Sequence, residues 1–577
     1  MGISEKGAKH RRAALLQLAL LIGIMVGLNV LGTAVYHRFD LTQEKRFSLS
    51  QPTKDLLTEI DDVMSVTLYL DGELTPNMTR LKAETLDMLK RFRSVAGSEF
   101  YFNVFDPSSI PDENNRLAFY KELQDKGMLA VEFREDATAS VSRKYLFPYA
   151  EISSRNGEAQ IVPLLVNFPP YLDPTFDPTP AVSLLEYSFA QAIRKAIRPV
   201  GPRIAFVEGH GELDTLSVFD TYRALSDYYR IDRFDLNLVN EIDTGLEVLI
   251  FAKPTQEFSQ VNQFKIDQYL MRGGRMMFFL DGVVASFDSL NTNNGEFFTI
   301  PYDRGIENNL FQYGVRVNND LIQDLQCARI AVPVADQYEF FPWYYRPIFT
   351  NSNLRHPITR HLEPVEGRFV STIDTAGVSG LTKTVLLRTS AHARTLLDPV
   401  RVRFSTVINP PRDEQFNKEN LPVAVLVEGE FRSAYRTRKE LASRFTTRGV
   451  GGTEFIEQGK ASRIIVVGDG DMIRNEVSPD GRIAPLGMNN VEGVIFSNMD
   501  FILNSIEYLA DGSGLAEVRA KEVRLRPLDS ARVNSRRGFW TFICIVAPLL
   551  ILLFLGGLYN VVRYRRYAMV DEPSVDT

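Results

Sequence analysis

The sequence predicts an α/β protein in which two or more α/β domains lie between an N-terminal and a C-terminal transmembrane helix. Apolar runs without a charged residue occupy residues 13–35 and 539–562. Each run is long enough to cross a hydrocarbon core, which needs about 20 residues. Between the runs, short apolar segments alternate with amphipathic ones, a pattern typical of parallel sheets covered by helices.

Both apolar runs have an alternative interpretation. The first could be a cleaved signal peptide, because Gly32 and Ala34 form a small-x-small pattern, but signal sequences have only about 7–15 apolar residues. The second could be a buried core helix. Trp540 and Tyr559 near its ends, with Arg563 beyond, are instead typical of interfacial anchors. We therefore expect two spans.

Two spans place both termini on the same side of the membrane. The tail 1–12 contains four Lys or Arg residues, and arginines follow the second span in the tail 563–577. By the positive-inside rule both tails are expected in the cytoplasm. The intervening body would then lie on the opposite side of the membrane from the two tails.

The first α/β domain is expected at residues 47–198. Ser50 followed by Pro52 predicts a helix start, and a strand, a helix and a second strand follow up to residue 105. The order β-α-β predicts parallel pairing of the two strands. Pro199 and Pro202 mark the end of the domain.

The second α/β domain is expected at residues 203–510. Its buried strands are predicted near residues 204–207, 248–252, 276–280 and 464–467, in a doubly wound sheet. Residues 283–460 are expected to be an insertion or a third subdomain. Residues 511–537 form a charged connector to the second span.

Polar side chains follow several of these strands, at the edge where open α/β sheets bind ligands. We predict a ligand-binding site there, made of Glu208, His210, Glu212, Asp281, Asp469 and Asp471. The turn from Glu208 to Glu212 could also serve acid–base chemistry or hold a metal. The simpler alternative is a tight turn in which glycines supply backbone freedom, since Gly-His-Gly lacks the dinucleotide-binding spacing.

Signatures of catalysis are missing from the sequence. It has no Walker-type phosphate loop, no Gly-x-Ser-x-Gly elbow and no Cys/His zinc spacing, so we predict no catalytic residues, no metal and no cofactor. Cys327 has no glycine beside it to form a nucleophile elbow, and Cys544 lies in the second apolar run. The net charge of −7 gives no reason to expect nucleic-acid binding.

Several ordered motifs carry a resemblance that covers nearly the whole chain. They are the segments 38–50, 208–213, 425–431, 467–471, 498–509 and 517–523. With these motifs the sequence resembles the gliding-associated ABC-transporter auxiliary family (GldG-type proteins). The resemblance also extends to the second domain, which looks like a glutamine-amidotransferase-like sheet without the catalytic thiol.

The resemblance implies a non-catalytic subunit that partners a separate ABC permease and ATPase. Such systems serve gliding motility or protein secretion in Bacteroidota-type bacteria. It also implies a periplasmic body. The alternatives for the assembly are a single copy of the chain and a homo-dimer within the complex. The competing hypotheses are a membrane-anchored hydrolase or metal-dependent enzyme that uses the turn at 208–212, and a structural periplasmic scaffold.

The first span offers a candidate contact face for membrane partners. Gly23 and Gly27 have the four-residue spacing that places small residues on one side of a helix. Helices in lipid associate through such close-packing positions. The alternative is that glycine is simply common in membrane helices.

Overall fold

The computed structural model describes residues 16–27, 48–134, 143–155, 158–165, 177–197, 201–292, 295–334, 337–350, 356–360, 362–407, 409–452, 454–478, 480–512, 514–518 and 536–567. Met1–Glu522 form one compact unit, and Val523–Thr577 form a second. The predicted α/β class is confirmed, since helices and several sheets build the first unit.

The first described helix, α1, covers Leu16–Gly27 and lies within the first predicted span. It is apolar and exposed along its length. With 12 residues it is shorter than a membrane crossing requires. Residues 13–15 and 28–35 of the predicted span lie outside the described residues, so this span stays a prediction.

The next part of the chain builds a small α/β layer around a four-stranded sheet. Its elements are α2 (Gln51–Thr58), β1 (Met64–Leu68), α3 (Pro76–Ala96), β2 (Phe100–Val104), α4 (Glu113–Asp125), β3 (Val131–Arg134), β4 (Arg143–Leu146), β5 (Tyr149–Ser154), β6 (Gln160–Pro163) and α5 (Thr179–Ile197). The sheet has the order β2-β1-β5-β6. Strands β1 and β2 are parallel, as the β-α-β order predicts, whereas β5 and β6 are antiparallel to their neighbours.

Local sequence explains where α2 and α3 begin. The Ser50 hydroxyl accepts a hydrogen bond from the Thr53 amide, and the Thr75 hydroxyl accepts one from the Met78 amide. Each cap is followed by proline in the first turn, where a missing amide hydrogen costs nothing. Capping of this kind contributes about 1 kcal/mol per helix.

The remainder of the first unit contains most of the strands. Its elements are β7 (Arg203–Glu208), α6 (Phe219–Ser226), β8 (Arg230–Asp235), β9 (Leu246–Ala252), α7 (Gln260–Met271), β10 (Arg275–Phe279), α8 (Phe287–Thr292), β11 (Glu296–Phe298), α9 (Ile306–Gln312), β12 (Val315–Val317), β13 (Asp320–Asp324), β14 (Cys327–Val334), β15 (Gln337–Phe349), β16 (Val365–Glu366), β17 (Ile373–Thr375), β18 (Leu381–Arg388), β19 (Ala393–Leu397), β20 (Arg401–Arg403), β21 (Pro422–Arg432), α10 (Lys439–Thr447), β22 (Gln458–Val467), β23 (Met488–Asn489), β24 (Val494–Ile495), α11 (Asn498–Ala510) and α12 (Leu515–Val518).

A seven-stranded sheet with the order β18-β21-β22-β10-β9-β7-β8 forms the centre of this part. Strands β22, β10, β9, β7 and β8 are mutually parallel, while β21 pairs antiparallel with β22 and β18 pairs antiparallel with β21 at one edge. The sheet is therefore mixed, whereas the sequence predicts only the parallel pattern of a doubly wound sheet. The expected insertion at 283–460 supplies both strands of this edge, β18 and β21.

Helices cover both faces of the seven-stranded sheet. On one face α6 and α11 pack through side chains such as Leu225, Phe501 and Ile506. On the other face α7 and α9 pack through Ile266 and Leu310, among others. The central strands are therefore buried on both sides, which explains their nearly continuous apolar sequences.

The second unit contains one long helix, α13, which covers Arg537–Tyr567. In the described part of the chain it is the one helix long and apolar enough to cross a membrane. Its apolar window is not buried by protein. This helix contains the second predicted span at 539–562.

Candidate functional site

The parallel strands place the predicted site residues at one edge of the seven-stranded sheet. Numbered along the chain, β7, β8, β9, β10 and β22 lie in the order 2-1-3-4-5. Sheets of this order bind ligands beyond the carboxyl ends of the strands, where the strand order reverses. In this protein that position lies between β7 and β9.

The turn after β7 fills the crevice between β7 and β9 with its own side chains. The His210 ring is 2% exposed and stacks on Phe258, with 3.8 Å between the ring centroids. Its Nε2 lies 3.0 Å from Asn262 Nδ2. The Glu212 carboxylate accepts a hydrogen bond of 2.7 Å from the His210 amide, and its other oxygen lies 3.5 Å from His210 Nδ1. These contacts favour the structural-turn interpretation of the segment.

A glycine is required within this turn. Gly211 has a φ of +75°, a conformation that other residues rarely adopt. A β-carbon at this position would lie 2.2 Å from the Thr255 hydroxyl oxygen. The turn after β7 therefore packs directly on the loop after β9, and Glu208 points outward to an ion pair of 2.6 Å with Arg233.

A second group of site residues surrounds Lys253, which directly follows β9. Lys253 Nζ lies 3.0 Å from Asp281 Oδ2 and 2.7 Å from Asp471 Oδ2. Gly470 contributes its amide, which donates a hydrogen bond of 2.5 Å to Asp281 Oδ1. All three charged side chains are buried. The sequence predicts Asp281 and Asp471 at this edge, but it does not single out the lysine that joins them.

Burial and charge act in opposite directions on this group. Burial raises the pKa of Asp281, although the attraction of Lys253 opposes the shift. Burial also disfavours ionisation of Asp471, but the attraction and hydrogen bond of Lys253 outweigh it and lower the pKa of Asp471. Burial disfavours the charge of Lys253, yet the two carboxylates outweigh this effect and raise the pKa of its ammonium group. The ionised lysine is thus held by the network.

Asp469 lies beside this group but has different partners. Its carboxyl oxygens accept hydrogen bonds of 2.8 Å each from the amides of Arg368 and Asp471. Burial, followed by repulsion from Asp281 and Asp471, raises the pKa of Asp469 well above its ordinary value. Asp469 therefore holds the backbone of the loop after β22 through both of its carboxyl oxygens.

Arg304 connects the two groups of site residues. Its guanidinium donates hydrogen bonds of 2.7 Å to the Asp281 carbonyl and 3.2 Å to the Pro254 carbonyl. The Arg304 carbonyl in turn accepts a hydrogen bond from the Phe258 amide, beside the stacked His210. Arg304 lies in the segment expected as an insertion, so its place at this edge could not be read from the local sequence.

The edge is thus a network of paired and buried polar groups. The structure brings Asp281, Asp469 and Asp471 together and places His210 and Glu212 in a separate group, while Glu208 faces solvent. Among the residues that the structure describes, no three His, Cys, Asp or Glu side chains are placed to hold a metal ion. As arranged, these groups stabilise one another, and binding of a ligand by them stays a prediction.

Gly23 and Gly27 lie on α1, outside this edge. A β-carbon at either position would meet no atom within 4 Å. Both glycines therefore leave open space at the helix surface, as a contact face for another helix requires. A partner at this face stays a prediction.

Solved structures that resemble this chain do so only weakly. No curated protein matches the chain. The N-terminal domain of mmIFT52 is 16% identical over 54% of this chain and 98% of that domain, with a TM-score of 0.30. The exo-beta-1,4-mannosidase Op5Man5 from Opitutaceae bacterium strain TAV5 is 6% identical over 69% of this chain and 46% of the enzyme, with a TM-score of 0.21. These low scores support no conclusion on fold or function.

Two family models match the chain. A domain of unknown function matches residues 43–153. A family of ABC transporter auxiliary proteins, described as an ABC-type uncharacterized transport system, matches residues 201–505. The latter match contains the whole parallel part of the seven-stranded sheet and both groups of site residues. Because it covers more than half of the sequence, the chain belongs to this family of ABC transporter auxiliary proteins.

Proposed function

We propose that the protein is a non-catalytic, membrane-anchored auxiliary subunit that associates with the permease and ATPase of an ABC transporter. The family match over residues 201–505 carries this proposal. The exposed apolar helix α13 supports it, because such a helix anchors its chain in a membrane. The absence of a Walker-type loop from the sequence fits a chain whose ATPase is a separate subunit.

The polar edge of the large sheet supports a role without catalysis. Catalytic groups need access to substrate and a free proton donor or acceptor. His210 is instead 2% exposed and stacked on Phe258, with its Nδ1 turned toward the buried Glu212 carboxylate, and Lys253 is held between two carboxylates. This arrangement favours the auxiliary subunit over a hydrolase that uses the turn at 208–212.

The finer features of the proposal come from the sequence. We propose a GldG-type subunit of a gliding-motility or secretion system of Bacteroidota-type bacteria, with two spans and a periplasmic body in the inner membrane. The second domain would be a doubly wound, glutamine-amidotransferase-like sheet without a thiol, and the complex would contain either one or two copies of the chain. Its carboxyl edge, with Asp281, Asp469 and Asp471, is the proposed ligand-binding or partner-binding region.

Purification from native membranes tests the proposal. The full chain, tagged at its C-terminus, is solubilised in a mild detergent and isolated without crosslinker, beside an untagged control strain. We expect an ABC permease and an ATPase to co-purify in fixed proportions. Isolation of the chain alone under several mild detergents, or with an unrelated soluble enzyme, contradicts the proposal.

Reporter fusions test the membrane topology. We expect a reporter that is active only in the cytoplasm to function after Thr577, and a reporter that is active only in the periplasm to function when inserted at the exposed Gly481. The same pair with the reporters exchanged serves as the control. Periplasmic activity of a fusion after Thr577 contradicts the topology with both termini in the cytoplasm.

A further inference from the structure

An arginine-rich surface surrounds α10, at one side of the seven-stranded sheet. Residues 431–449 contain six cationic side chains, Arg432, Arg436, Arg438, Lys439, Arg444 and Arg448, and one acidic side chain, Glu440. The chain as a whole is acidic, with a net charge of −7. This concentration of positive charge is therefore a local feature that the overall composition conceals.

Four of these cations line one shallow cleft. Arg436, Arg438, Lys439 and Arg444 surround a space of about 570 Å³, together with Thr437, Glu440 and Leu441. Lys439 forms an ion pair of 2.7 Å with Glu457. Among the residues that the structure describes, the three arginines of the cleft have no carboxylate within ion-pair distance. Three guanidinium groups are thus available to a ligand.

The backbone that carries these arginines is firmly held. Ala442 and Phe445 of α10 are buried against Phe264 and Tyr435. The Tyr435 hydroxyl donates a hydrogen bond to the Gln260 carbonyl. The segment before α10 is also fixed, because the Ala434 amide donates to the buried Asp267 carboxyl group. A rigid support lowers the entropy that a binding surface loses when its ligand binds.

The chemistry of the cleft favours carboxylates on a protein partner. Arginine presents a planar fork of donors that pairs with a carboxylate through two parallel hydrogen bonds. Helices that lie on membranes expose large apolar side chains beside their basic residues. Within residues 431–449, all of which the structure describes, no large apolar side chain is exposed, because α10 directs Phe445 into the core. The surface therefore lacks the part that would enter a lipid layer.

We propose that the cleft formed by Arg436, Arg438 and Arg444 is a docking site for a carboxylate-rich segment of a protein partner. Charge complementarity between the arginines and an acidic segment would accelerate association and select the partner. The proposal goes beyond the auxiliary function and does not depend on the identity of the transporter. It concerns a surface separate from the polar edge that contains Asp281 and Asp471.

A peptide-binding assay on the full chain in zwitterionic micelles tests the proposal. The probe is a fluorescent peptide of repeating Glu-Ser, and its anisotropy is measured as protein is added. We expect Arg436→Ser, Arg438→Ser and Arg444→Ser together to weaken binding by about tenfold or more, since each exposed ion pair contributes modestly and three are removed. Binding to the unchanged chain should weaken as salt rises.

A control variant removes the same amount of charge elsewhere. Arg223→Ser, Arg316→Ser and Arg412→Ser change three exposed arginines that lie outside the cleft. We expect this variant to keep the affinity of the unchanged chain within about twofold, because exposed charges farther apart than about 8–10 Å are largely screened. Equal losses in the two variants would overturn the proposal, since the net charge alone would then explain binding.

Two further measurements separate the classes of ligand. Vesicles of phosphatidylglycerol and a single-stranded oligonucleotide are compared with the peptide at physiological salt. The assignment to a protein partner would be overturned if the vesicles or the oligonucleotide bound more tightly than the peptide and this binding were lost in the variant with three arginines replaced. If the triple variant does not fold, Arg444→Glu on the exposed face of α10 replaces it, and unchanged peptide affinity in this variant would also overturn the proposal.

Discussion

Replacement of Lys253 by methionine removes the cation that bridges the buried carboxylates of Asp281 and Asp471. Methionine retains the apolar part of the side chain, so the change isolates the ammonium group. Lys253 has a φ of +53°, and methionine would carry the same backbone strain, so this strain cancels in the comparison. The variant therefore reports the contribution of the charge to the polar edge.

The structure sets the size of the expected effect. Lys253 Nζ lies 3.0 and 2.7 Å from carboxylate oxygens of Asp281 and Asp471, and all three side chains are buried. Removal of one partner from a buried ion pair costs about 3–5 kcal/mol, because the remaining charge is uncompensated. We expect a loss of about this size in the free energy of unfolding of the sheet.

The loss should depend on pH with a defined sign. Without Lys253, burial raises the pKa of Asp281 further, whereas Asp471 keeps its ion pair of 3.4 Å with Arg474. A group whose folded pKa exceeds its unfolded pKa stabilises the folded state at low pH, and this stability is lost as the pH rises. The difference in free energy of unfolding between the variant and the unchanged chain should therefore be large at about pH 8 and smaller at about pH 5.

Hydrogen exchange of the full chain in micelles measures these differences. The relevant readout is the protection of peptides that cover β10 and β22, the strands before Asp281 and Asp471. Addition of Asp471→Asn to Lys253→Met should recover about 0.5–3 kcal/mol, the usual coupling between contacting residues. Arg482→Met, which removes an exposed ion pair, should leave protection unchanged. Unchanged protection in Lys253→Met, or a loss independent of pH, would refute the reasoning.

Further predictions concern three other places in the chain. Burial raises the pKa of the Cys327 thiol to about 12. In a Cys544→Ser background we therefore expect alkylation of Cys327 at about pH 8 to be slow until urea unfolds the chain. Rapid labelling of the folded chain contradicts this prediction. For His210→Ala we expect hydrogen exchange of β7 and β9 to report a loss of about 2–4 kcal/mol in the free energy of unfolding, because the change leaves a cavity beside Phe258. Unchanged stability, or loss of a purified activity with folding intact, would favour the enzyme hypothesis. Gly23→Leu with Gly27→Leu should release the permease while the chain stays inserted, whereas a complex that survives both changes excludes this contact face.

Local sequence predicts those parts of the fold that depend on neighbouring residues. The end of the helix at Gln260–Met271 follows from the glycines after it, and the buried strand near Val248–Ala252 follows from its apolar run. Strand partners across long separations are different. Val423–Val427 has a strand-like sequence, but its antiparallel pairing with β22 depends on contacts that no local pattern encodes.

The candidate site shows the same limit. Asp281 and Asp471 could be placed at one edge because each follows a buried strand. Lys253 also follows a strand, but in the sequence it reads only as the residue before Pro254, which ends the strand. Arg304 and Arg368 come from loops whose position is set by tertiary packing. The ion pairs at this edge therefore depend on the tertiary structure and could not be predicted from the local sequence.

The long separation between β10 and β22 has a consequence for synthesis of the chain. β10 ends at Phe279, and its partner β22 begins at Gln458. At about 5–20 residues per second, the ribosome needs on the order of 10–40 s to make the intervening segment. During this time the apolar strand Met276–Phe279 has an unpaired edge, and such edges promote association between chains. The exposed edge of β10 therefore favours association between nascent chains until β22 has emerged.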